Sequence, residues 1–300
     1  GIYRAAKSLN KRAHIVVNNP TMSVRPIIES FRQNADYDEH MFINSEAARE
    51  IVDNNTVVVV VDTNKPSYTE CEELLQKTKT IVVLDHHRQG SEVIKNAVLS
   101  YIEPYASSTC EMVAEILQYF SDDIRIYNIE ADALYSGIMI DTNNFTAKTG
   151  VRTFEAAAFL RRCGADVTRV RKMFRDDVKS YKAKAEAIRN VETYKGSFAI
   201  SVCPSEGIDS PTVVASQAAN ELLNVDSIRA SFVLTDYQNK IYISARAIDE
   251  VNVQIIMERL GGGGHINMAG AQLPGISVNE AIRQLKETLD KMMKEGDIEA

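Results

Sequence analysis

The sequence predicts an α/β protein in which an N-terminal, mostly parallel sheet domain with helices on both faces precedes a smaller C-terminal α/β domain with a mixed sheet. Three observations predict this fold. Short β-branched runs alternate with helical patterns over the first half, as right-handed crossovers between parallel strands require. A charged, alanine-containing stretch at 176–192 interrupts the alternation and predicts a linker helix. Beyond it, a polar turn at 236–239 joins two strands as an antiparallel hairpin.

The N-terminal domain is expected to span residues 1–175. Its first elements are a helix over 1–9, whose apolar residues recur at helical spacing, and a strand over 13–17. Two short helices follow, Ser23–Phe31 and Ser45–Val52, the second with Ser45 as its N-cap. The remaining elements, in chain order, are a strand over 57–61, a helix over 68–75, a strand over 81–84, a helix after Ser108, a helix from Glu130 that runs into a strand over 137–140, and a helix over 153–162.

The C-terminal domain is expected to span residues 193–300. Strands are predicted over 198–203, 230–234 and 240–246, the last two forming the hairpin. A helix over 213–223 has one apolar face, and a final helix runs from Val278 to Met293. The whole chain has 300 residues, which is enough for two domains of ordinary size.

Composition excludes several classes of protein. A hydrophobic content of 45% and a charged content of 25% are typical of globular proteins, and no apolar run approaches the roughly 20 residues that span a bilayer. A net charge of −7 disfavours long nucleic acids and anionic membranes as partners. The four cysteines are scattered without a C-x-x-C pair, which indicates free thiols in a reducing cytoplasm. A small nucleotide, neutralised locally, fits these properties best.

Three predicted strands each run directly into an aspartate. The aspartates are Asp62, Asp85 and Asp141, and two histidines, His86 and His87, follow the second of them. Since ligands bind outside the carboxyl ends of the strands in an open parallel sheet, these side chains should converge. Carboxylates packed together repel one another unless divalent cations bridge them. Carboxylates with an imidazole and no cysteine favour a hard or borderline ion such as Mn(II) over structural zinc.

The alternative interpretation of these aspartates is local. One aspartate after a strand is most often a turn former or a helix cap. Three such positions in one chain, one of them followed by two histidines, make metal or phosphate chemistry the favoured hypothesis.

A second group of residues surrounds four consecutive glycines that end at His265. Glycine loses more backbone entropy on folding than other residues, so this run predicts some compensating close approach of the backbone. Its amides can form a concave nest for an anion, whereas the alternative is a flexible connector. Arg246, at the end of a predicted strand, can clamp a phosphate, and together with the segment 269–271 it favours a ligand site.

These motifs resemble the DHH phosphoesterase superfamily. The Asp-His-His run at 85–87, with Asp62 before it and Asp141 after it, is similar to the metal-binding signature of that superfamily. The segment 261–265, followed by Met-Ala-Gly at 268–270, resembles the glycine-rich signature of the substrate-binding domain that accompanies DHH domains. Together the resemblances cover nearly the whole chain, and within the superfamily they are strongest to the GdpP-type cyclic di-AMP phosphodiesterases.

The resemblance implies two-metal hydrolysis of a phosphodiester. Asp62 would bridge two Mn(II) ions, and His86 and Asp141 would complete the protein ligands of the second ion. Asp85 would orient a neighbouring imidazole, and His87 would face the scissile phosphate. A bridging water, activated by the metals, would attack phosphorus and open cyclic di-AMP to linear pApA.

Further residues are candidates for holding the nucleotide. They are Ser108, Asn143, Arg246, Gly263, Gly264 and His265. Ser108 also fits a capping box with Glu111, and capping is its favoured role.

One part of the family pattern has no counterpart here. The superfamily's first motif is a His and two Asp before a small-residue helix, and no such triad occurs between Gly1 and Val17. We therefore expect the chain to belong to a longer protein, whose upstream residues supply most ligands of the first Mn(II) ion. Without them that ion would be lost and activity would be low. The resemblance implies a membrane-anchored parent with this module in the cytoplasm, and the sequence leaves a homodimer open.

Other functions remain as alternatives. Within enzymes these are a nanoRNA or 3′-phosphonucleotide hydrolase, a RecJ-like exonuclease and an inorganic pyrophosphatase. The acidic charge and the lack of a basic-aromatic groove disfavour the exonuclease, and the scarcity of clustered Lys and Arg disfavours the pyrophosphatase. From a different class, the chain could be a nucleotide-sensing module that binds without turnover.

Overall fold

A computed structural model describes residues 1–21, 24–121, 123–248 and 251–299. The chain forms two compact units, Gly1–Arg175 and Asp176–Ala300. The first unit has two small sheets and the second has one, and each unit has a hydrophobic core of its own.

The first unit is built from short parallel strands and the helices that connect them. Its strands are β1 (Ile15–Val16), β2 (Phe42–Ile43), β3 (Val57–Val61), β4 (Thr80–Asp85) and β5 (Leu99–Ile102). Its helices are α1 (Ile2–Ser8), α2 (Arg25–Arg32), α3 (Ser45–Ile51), α4 (Leu74–Lys77), α5 (Thr109–Phe120), α6 (Asn128–Asp141), α7 (Val151–Arg162) and α8 (Val167–Met173), with a 3₁₀ turn at Pro66–Tyr68.

The strands pair in parallel, as the alternation of elements predicts. β1 pairs with β2, and β4 lies between β3 and β5, with Val61 opposite Leu84 and Asp85 opposite Ile102. β4 is central because its side chains are apolar on both faces, which is typical of a strand covered on two sides. The predicted α/β class and the parallel N-terminal sheet are confirmed.

The predicted strand over 137–140 is wrong, since this segment is the last turn of α6. The helix begins at a capping box in which the carboxylate of Glu130 accepts the backbone amide of Tyr127 at 2.9 Å. Ala131, Leu134 and Ile138 lie in the core, and α6 packs against α5, α7 and α8. A helix that is covered on several sides lacks the alternating polar face by which a helix is recognised, so its apolar end resembles a buried strand.

Smaller differences concern short elements. The predicted helix over 68–75 is divided into the 3₁₀ turn and α4, and β5 and α8 were not predicted. The N-cap of α3 is Asn44 rather than Ser45, because the side chain of Asn44 accepts the amide of Ala47 at 2.9 Å. The predicted start of α2 at Ser23 lies outside the described residues. α7 ends as predicted, with Cys163 as its C-cap and Gly164 in the left-handed region.

The second unit contains a mixed sheet between two layers of helices. Its strands are β6 (Glu192–Tyr194), β7 (Phe198–Val202), β8 (Ala230–Tyr237), β9 (Lys240–Ala247), β10 (Gly263–His265) and β11 (Met268–Pro274), in the order β10-β11-β9-β8-β7-β6. Its helices are α9 (Val178–Arg189), α10 (Pro211–Leu222), α11 (Val253–Arg259) and α12 (Val278–Glu295). β7 and β8 are parallel and the other pairs are antiparallel, so the predicted mixed sheet is confirmed.

Each face of this sheet has its own core. On one face, Phe232 and Ile243 pack with Leu285 and Leu289 of α12. On the other face, α9 and α10 cover a cluster that includes Val233. The stretch predicted as a linker helix is therefore a packed element of the second unit. The hairpin between β8 and β9 turns at 238–239, two residues with positive φ, as a tight turn of this kind requires.

The glycine run forms a strand rather than a flexible connector. Gly263, Gly264 and His265 make up β10, which pairs with β11. A Cβ at Gly262 would lie 2.1 Å from the carbonyl oxygen of Gly270, and one at Gly264 would lie 2.5 Å from the Cα of Ala269. The close backbone approach that the glycines predict is therefore an approach to β11.

The structure also bears on the state of the cysteines and on membrane-spanning helices. All four cysteines are free, and burial raises the pKa of Cys110 to about 12 and that of Cys203 to about 11. No helix in the described part of the chain is long and apolar enough to cross a membrane.

The glycine packing gives a test of the second unit. Gly262→Ala should lower the free energy of unfolding by about 1–3 kcal/mol, because the new methyl group would overlap backbone atoms that cannot rotate away. Gly263→Ala is the matched control, since nothing lies within 4 Å of the Cβ it would add. Urea unfolding measures both variants, and equal losses in the two would contradict the packing.

Candidate active site

The register of the parallel strands brings two of the predicted motifs to one edge of the sheet. Asp62 follows β3 directly, and its backbone amide donates to the carbonyl oxygen of Leu84 at 3.0 Å. Asp85 ends β4, and His86 and His87 come next. The prediction that these motifs meet at the carboxyl ends of adjacent strands is confirmed.

Asp141 reaches the same place from the C-terminus of α6. The Nε2 atom of His86 lies 3.5 Å from a carboxylate oxygen of Asp62 and 3.8 Å from one of Asp141. The Nδ1 atom of His86 faces the carbonyl oxygen of Ala106 at 3.4 Å, which leaves Nε2 for the carboxylates. The three residues predicted as metal ligands therefore lie together around one imidazole nitrogen.

Geometry also permits a second ligand set. One potential ligand atom from each of Asp62, His86 and His87 lies within 4.8 Å of the others. The two sets share Asp62 and His86 and differ in whether Asp141 or His87 completes them. Both consist of carboxylate oxygen and imidazole nitrogen without thiolate, which is a donor set that suits Mn(II) and similar divalent ions.

The electrostatics of Asp141 are those of a cation site. Burial and the neighbouring carboxylate of Asp62 raise its pKa, whereas His86, His87 and Lys148 oppose that shift. Two carboxylates this close repel each other, and a divalent cation between them would reverse the repulsion. The residues present therefore fit a metal ion.

Asp85 holds His87 from behind. The Asp85 side chain is fully buried, and its Oδ1 lies 2.7 Å from Nδ1 of His87 and accepts the His87 backbone amide at 3.1 Å. The hydrogen bond that His87 donates to Asp85 raises the pKa of His87. Burial alone would raise the pKa of Asp85, but hydrogen bonds from His87 and Asn64 outweigh it, so that pKa is lowered. With Nδ1 engaged, Nε2 of the half-exposed His87 is the atom available to a metal or a phosphate.

Two polar residues of the site were missed by sequence reasoning. Thr109 donates from Oγ1 to Asp62 at 2.9 Å, and Asn64 donates from Nδ2 to Asp85 at 2.6 Å. In the sequence, only their positions relative to predicted residues could have indicated them. Thr109 follows the predicted cap Ser108, and Asn64 lies two residues after Asp62. Neither spacing belongs to a ligand pattern by itself.

The backbone is strained on both sides of the site. Asp62 has a φ of 65°, and Asn143, Asn144 and Phe145 have φ values of 46°, 59° and 64°. Residues other than glycine seldom adopt this left-handed region, and where they do the surrounding structure must hold them there. For Asp62 that support comes from the bonds to Leu84 and Thr109.

The other predicted residues of the first unit have different surroundings. Ser108 is fully buried, and its Oγ accepts the amide of Glu111 at 3.0 Å, so its visible role is to cap α5. Thr109, rather than Ser108, presents a hydroxyl to the carboxylates. Asn143 is exposed, two residues beyond Asp141.

In the second unit, Arg246 is a buried cation on β9. It is only 9% exposed, donates from one Nη atom to the carbonyl oxygen of Ala245 at 2.8 Å, and contacts the hydroxyl of Ser216 through the other. Within the described chain its Nε has no hydrogen-bond partner, and burial lowers its pKa to about 10. Isolated buried charge is costly, so an anion would be stabilised here.

The sheet aligns Arg246 with the glycine strand. Arg246 pairs with Met268, and Met268 with His265, so these three side chains share one face across β9, β11 and β10. Two residues along, Gly263 pairs with Gly270 on that same face. Neither residue of this pair has a side chain, and Gly263, which nothing crowds, has no packing reason to be glycine.

Comparison with known proteins agrees with this division of the chain. Residues 1–138 match the DHH family, N-terminal domain, and residues 195–295 match the DHHA1 domain. The chain is 43% identical over 302 residues to the cyclic-di-AMP phosphodiesterase GdpP of Bacillus subtilis, a match that covers 99% of this chain and 45% of that protein. It is 38% identical over 297 residues to the cyclic-di-AMP phosphodiesterase PdeA of Listeria monocytogenes, with 98% and 45% covered. The chain thus spans just under half the length of these relatives.

A solved structure supports the fold. The exopolyphosphatase-related protein from Bacteroides fragilis superimposes with a TM-score of 0.80 at 19% sequence identity, covering 97% of this chain and 86% of that one. At this identity the likeness concerns the fold alone.

The Thr109 contact gives a test of the metal site. Thr109→Val keeps the side-chain shape but removes the donor to Asp62, and it should weaken Mn(II) binding about 10- to 100-fold, as loss of a partner behind a ligand typically does. Thr288→Val, which removes a hydroxyl bonded within α12, is the control. Electron paramagnetic resonance of free Mn(II) measures the affinity, and an unchanged value for Thr109→Val would remove Asp62 from the ligand set.

Proposed function

Because a chain that joins a DHH family N-terminal domain to a DHHA1 domain belongs to the DHH phosphoesterase superfamily, we propose that this one is a metal-dependent phosphodiesterase. Its proposed reaction is the hydrolysis of cyclic di-AMP to linear pApA, which rests on the activity named for both bacterial relatives. The observation that carries the proposal is the meeting of Asp62 and Asp141 at Nε2 of His86, at 3.5 and 3.8 Å.

The proposed metal ligands are Asp62, His86 and Asp141. Of the two carboxylates, that of Asp62 is the more exposed and faces both the imidazole and Thr109, so Asp62 would be the ligand most open to Mn(II). When bound, Mn(II) would lower the pKa of an attacking water and neutralise charge that develops on the phosphoryl oxygens. Thr109 and the carbonyl oxygen of Ala106 keep the Asp62 and His86 side chains in one orientation.

His87 is proposed to act on the phosphate itself. Asp85 binds Nδ1 of His87 and so directs Nε2 away from the core. The raised pKa of His87 favours the imidazolium form, which can donate a hydrogen bond to a phosphoryl oxygen as negative charge accumulates there. Asp85 remains ionised behind it and stabilises the positive ring.

Each unit offers its own candidates for binding an anionic substrate. In the second unit, Arg246 supplies a buried cation for a phosphate, and Gly263 and His265 lie on the same face of the sheet. Gly264, the third candidate of this strand, lies between them and faces the other side. In the first unit, Asn143 is the exposed candidate next to Asp141, whereas Ser108 contributes as the cap of α5. A chain of net charge −7 needs such local cations to bind an anionic nucleotide.

The proposal is tested by Mn(II)-dependent hydrolysis of cyclic di-AMP, with pApA as the comparison substrate. The assay is run on this chain. Conversion of cyclic di-AMP to pApA supports the proposal. Cleavage of pApA alone would favour a nanoRNA hydrolase, and tight binding of cyclic di-AMP without turnover would favour a nucleotide sensor.

Substitution of the proposed ligands should abolish this turnover. Asp62→Ala and His86→Ala each remove a ligand without removing core packing, so activity should fall to background while the unfolding temperature changes little. Asp236→Ala and His40→Ala are matched controls at exposed positions away from the site. Activity near that of the wild type in Asp62→Ala or His86→Ala would contradict the assignment of these residues as metal ligands.

Arg246 gives a separate test of substrate binding. Arg246→Met keeps much of the side-chain volume and removes the buried charge, so the unfolding temperature should stay the same or rise. The KM for cyclic di-AMP should rise about 10- to 100-fold, since hydrogen bonds to charged groups contribute about 1.5–3 kcal/mol. Arg283→Met, at an exposed ion pair, is the control, and an unchanged KM for Arg246→Met would contradict the anion role.

A further inference from the structure

Asn64 is a buried amide behind the active site. It lies between β3 and the 3₁₀ turn at Pro66–Tyr68, is 3% exposed, and donates from Nδ2 to Oδ2 of Asp85 at 2.6 Å and to the carbonyl oxygen of His87 at 3.3 Å. Its own backbone oxygen accepts the amide of Ile94 at 2.9 Å. Hydrogen bonds therefore hold both the side chain and the backbone of Asn64.

The two acceptors determine which way the amide faces. A reversed amide would set its oxygen against the carboxylate of Asp85 and the carbonyl of His87, both of which are acceptors. In the observed orientation, Oδ1 of Asn64 is buried and has no partner among the described residues. A buried acceptor without a partner destabilises the folded state, and each such group in a native protein calls for an explanation. This cost is set against the two bonds that Nδ2 donates, so the role of those bonds explains the amide.

The explanation lies in what the amide does to Asp85. The carboxylate of Asp85 receives donors on both oxygens: Asn64 on Oδ2, and the ring and backbone nitrogens of His87 on Oδ1. With only one oxygen bonded, the carboxylate could rotate about its bond to Cβ. The bond from Asn64 removes that freedom and keeps Oδ1 on Nδ1 of His87.

We propose that Asn64 is a positioning residue for the phosphodiester hydrolysis, acting through Asp85 to hold His87 in one tautomer and one ring orientation. The second bond, from Asn64 to the His87 carbonyl, fixes the backbone of the same residue. This inference rests on the proposed function. It adds a fourth polar group to the Asp-His-His motif, supplied by the loop that carries Asp62.

The first test is Asn64→Leu, which has nearly the same shape and removes both the donor and the unpaired acceptor. Because His87 would lose its fixed orientation, kcat should fall about 10- to 100-fold, as for other supporting residues behind a reactive group. KM and the Mn(II) concentration for half-maximal activity should not change, and the unfolding temperature should fall modestly, because Oδ2 of the buried Asp85 loses its donor. Asn96→Leu, which removes an amide bonded to Leu75 away from the site, should leave kcat unchanged.

A loss of kcat that accompanies an equal loss of Mn(II) affinity would overturn the inference, because it would mean that the substitution acts through Asp62. The double variant separates a role through His87 from a general one. In a His87→Ala background, Asn64→Leu should have no further effect on kcat, since the group that it positions is gone. An undiminished effect in that background would also overturn the inference.

A spectroscopic readout keeps this inference separate from the proposed function. If the wild-type protein hydrolyses neither cyclic di-AMP nor pApA, the proposed function fails, and the ¹⁵N chemical shifts of the His87 imidazole then decide the role of Asn64. Asn64→Leu should move those shifts toward a mixture of tautomers, and Asn96→Leu should not. Unchanged shifts in Asn64→Leu would overturn the positioning role whatever the activity.

Discussion

The arrangement of the first unit depends on the repulsion between two carboxylates. Asp62 and Asp141 come from a strand end and a helix end and meet at one imidazole nitrogen. Burial and this proximity raise the pKa of Asp141, and Asp62 adopts a left-handed backbone. Both features are costs to the folded state, and a protein retains such costs where a ligand offsets them. A divalent cation is the ligand that removes the repulsion directly.

Uncharged hydrogen-bond partners hold the side chains of the site in the orientation that brings the carboxylates together. Thr109 fixes Asp62, Asn64 fixes Asp85, and the carbonyl oxygen of Ala106 faces Nδ1 of His86. None of these partners carries charge, so each orients a reactive group without neutralising it. Two of them lie where the chain enters α5: Ala106 precedes the helix, and Thr109 is its first residue, directly after the cap Ser108. The cap thus serves the site indirectly.

Sequence patterns predict the parallel sheet, the hairpin and the meeting of the strand-end motifs, because each follows from local periodicity or from the rule for parallel strands. They fail for α6, since a helix buried on several sides has no polar face, and its apolar residues 137–140 resemble a strand. They also fail for Asn64 and Thr109, whose role is to donate a hydrogen bond to a residue from another element. Such donors are common polar residues, and only the folded chain reveals which acceptor each one meets.

The two units are electrostatically incomplete in opposite senses. The first has clustered carboxylates that call for a cation, and the second has in Arg246 a buried guanidinium that calls for an anion. In the first unit, a divalent cation would remove the repulsion between the carboxylates, whereas an anion alone would add to it. In the second unit, an anion would accept from Nε of Arg246, from which no group accepts within the described chain. A neutral ligand would meet neither need. Charge alone therefore argues for a divalent cation in the first unit and for an anion in the second, independently of any likeness to other proteins.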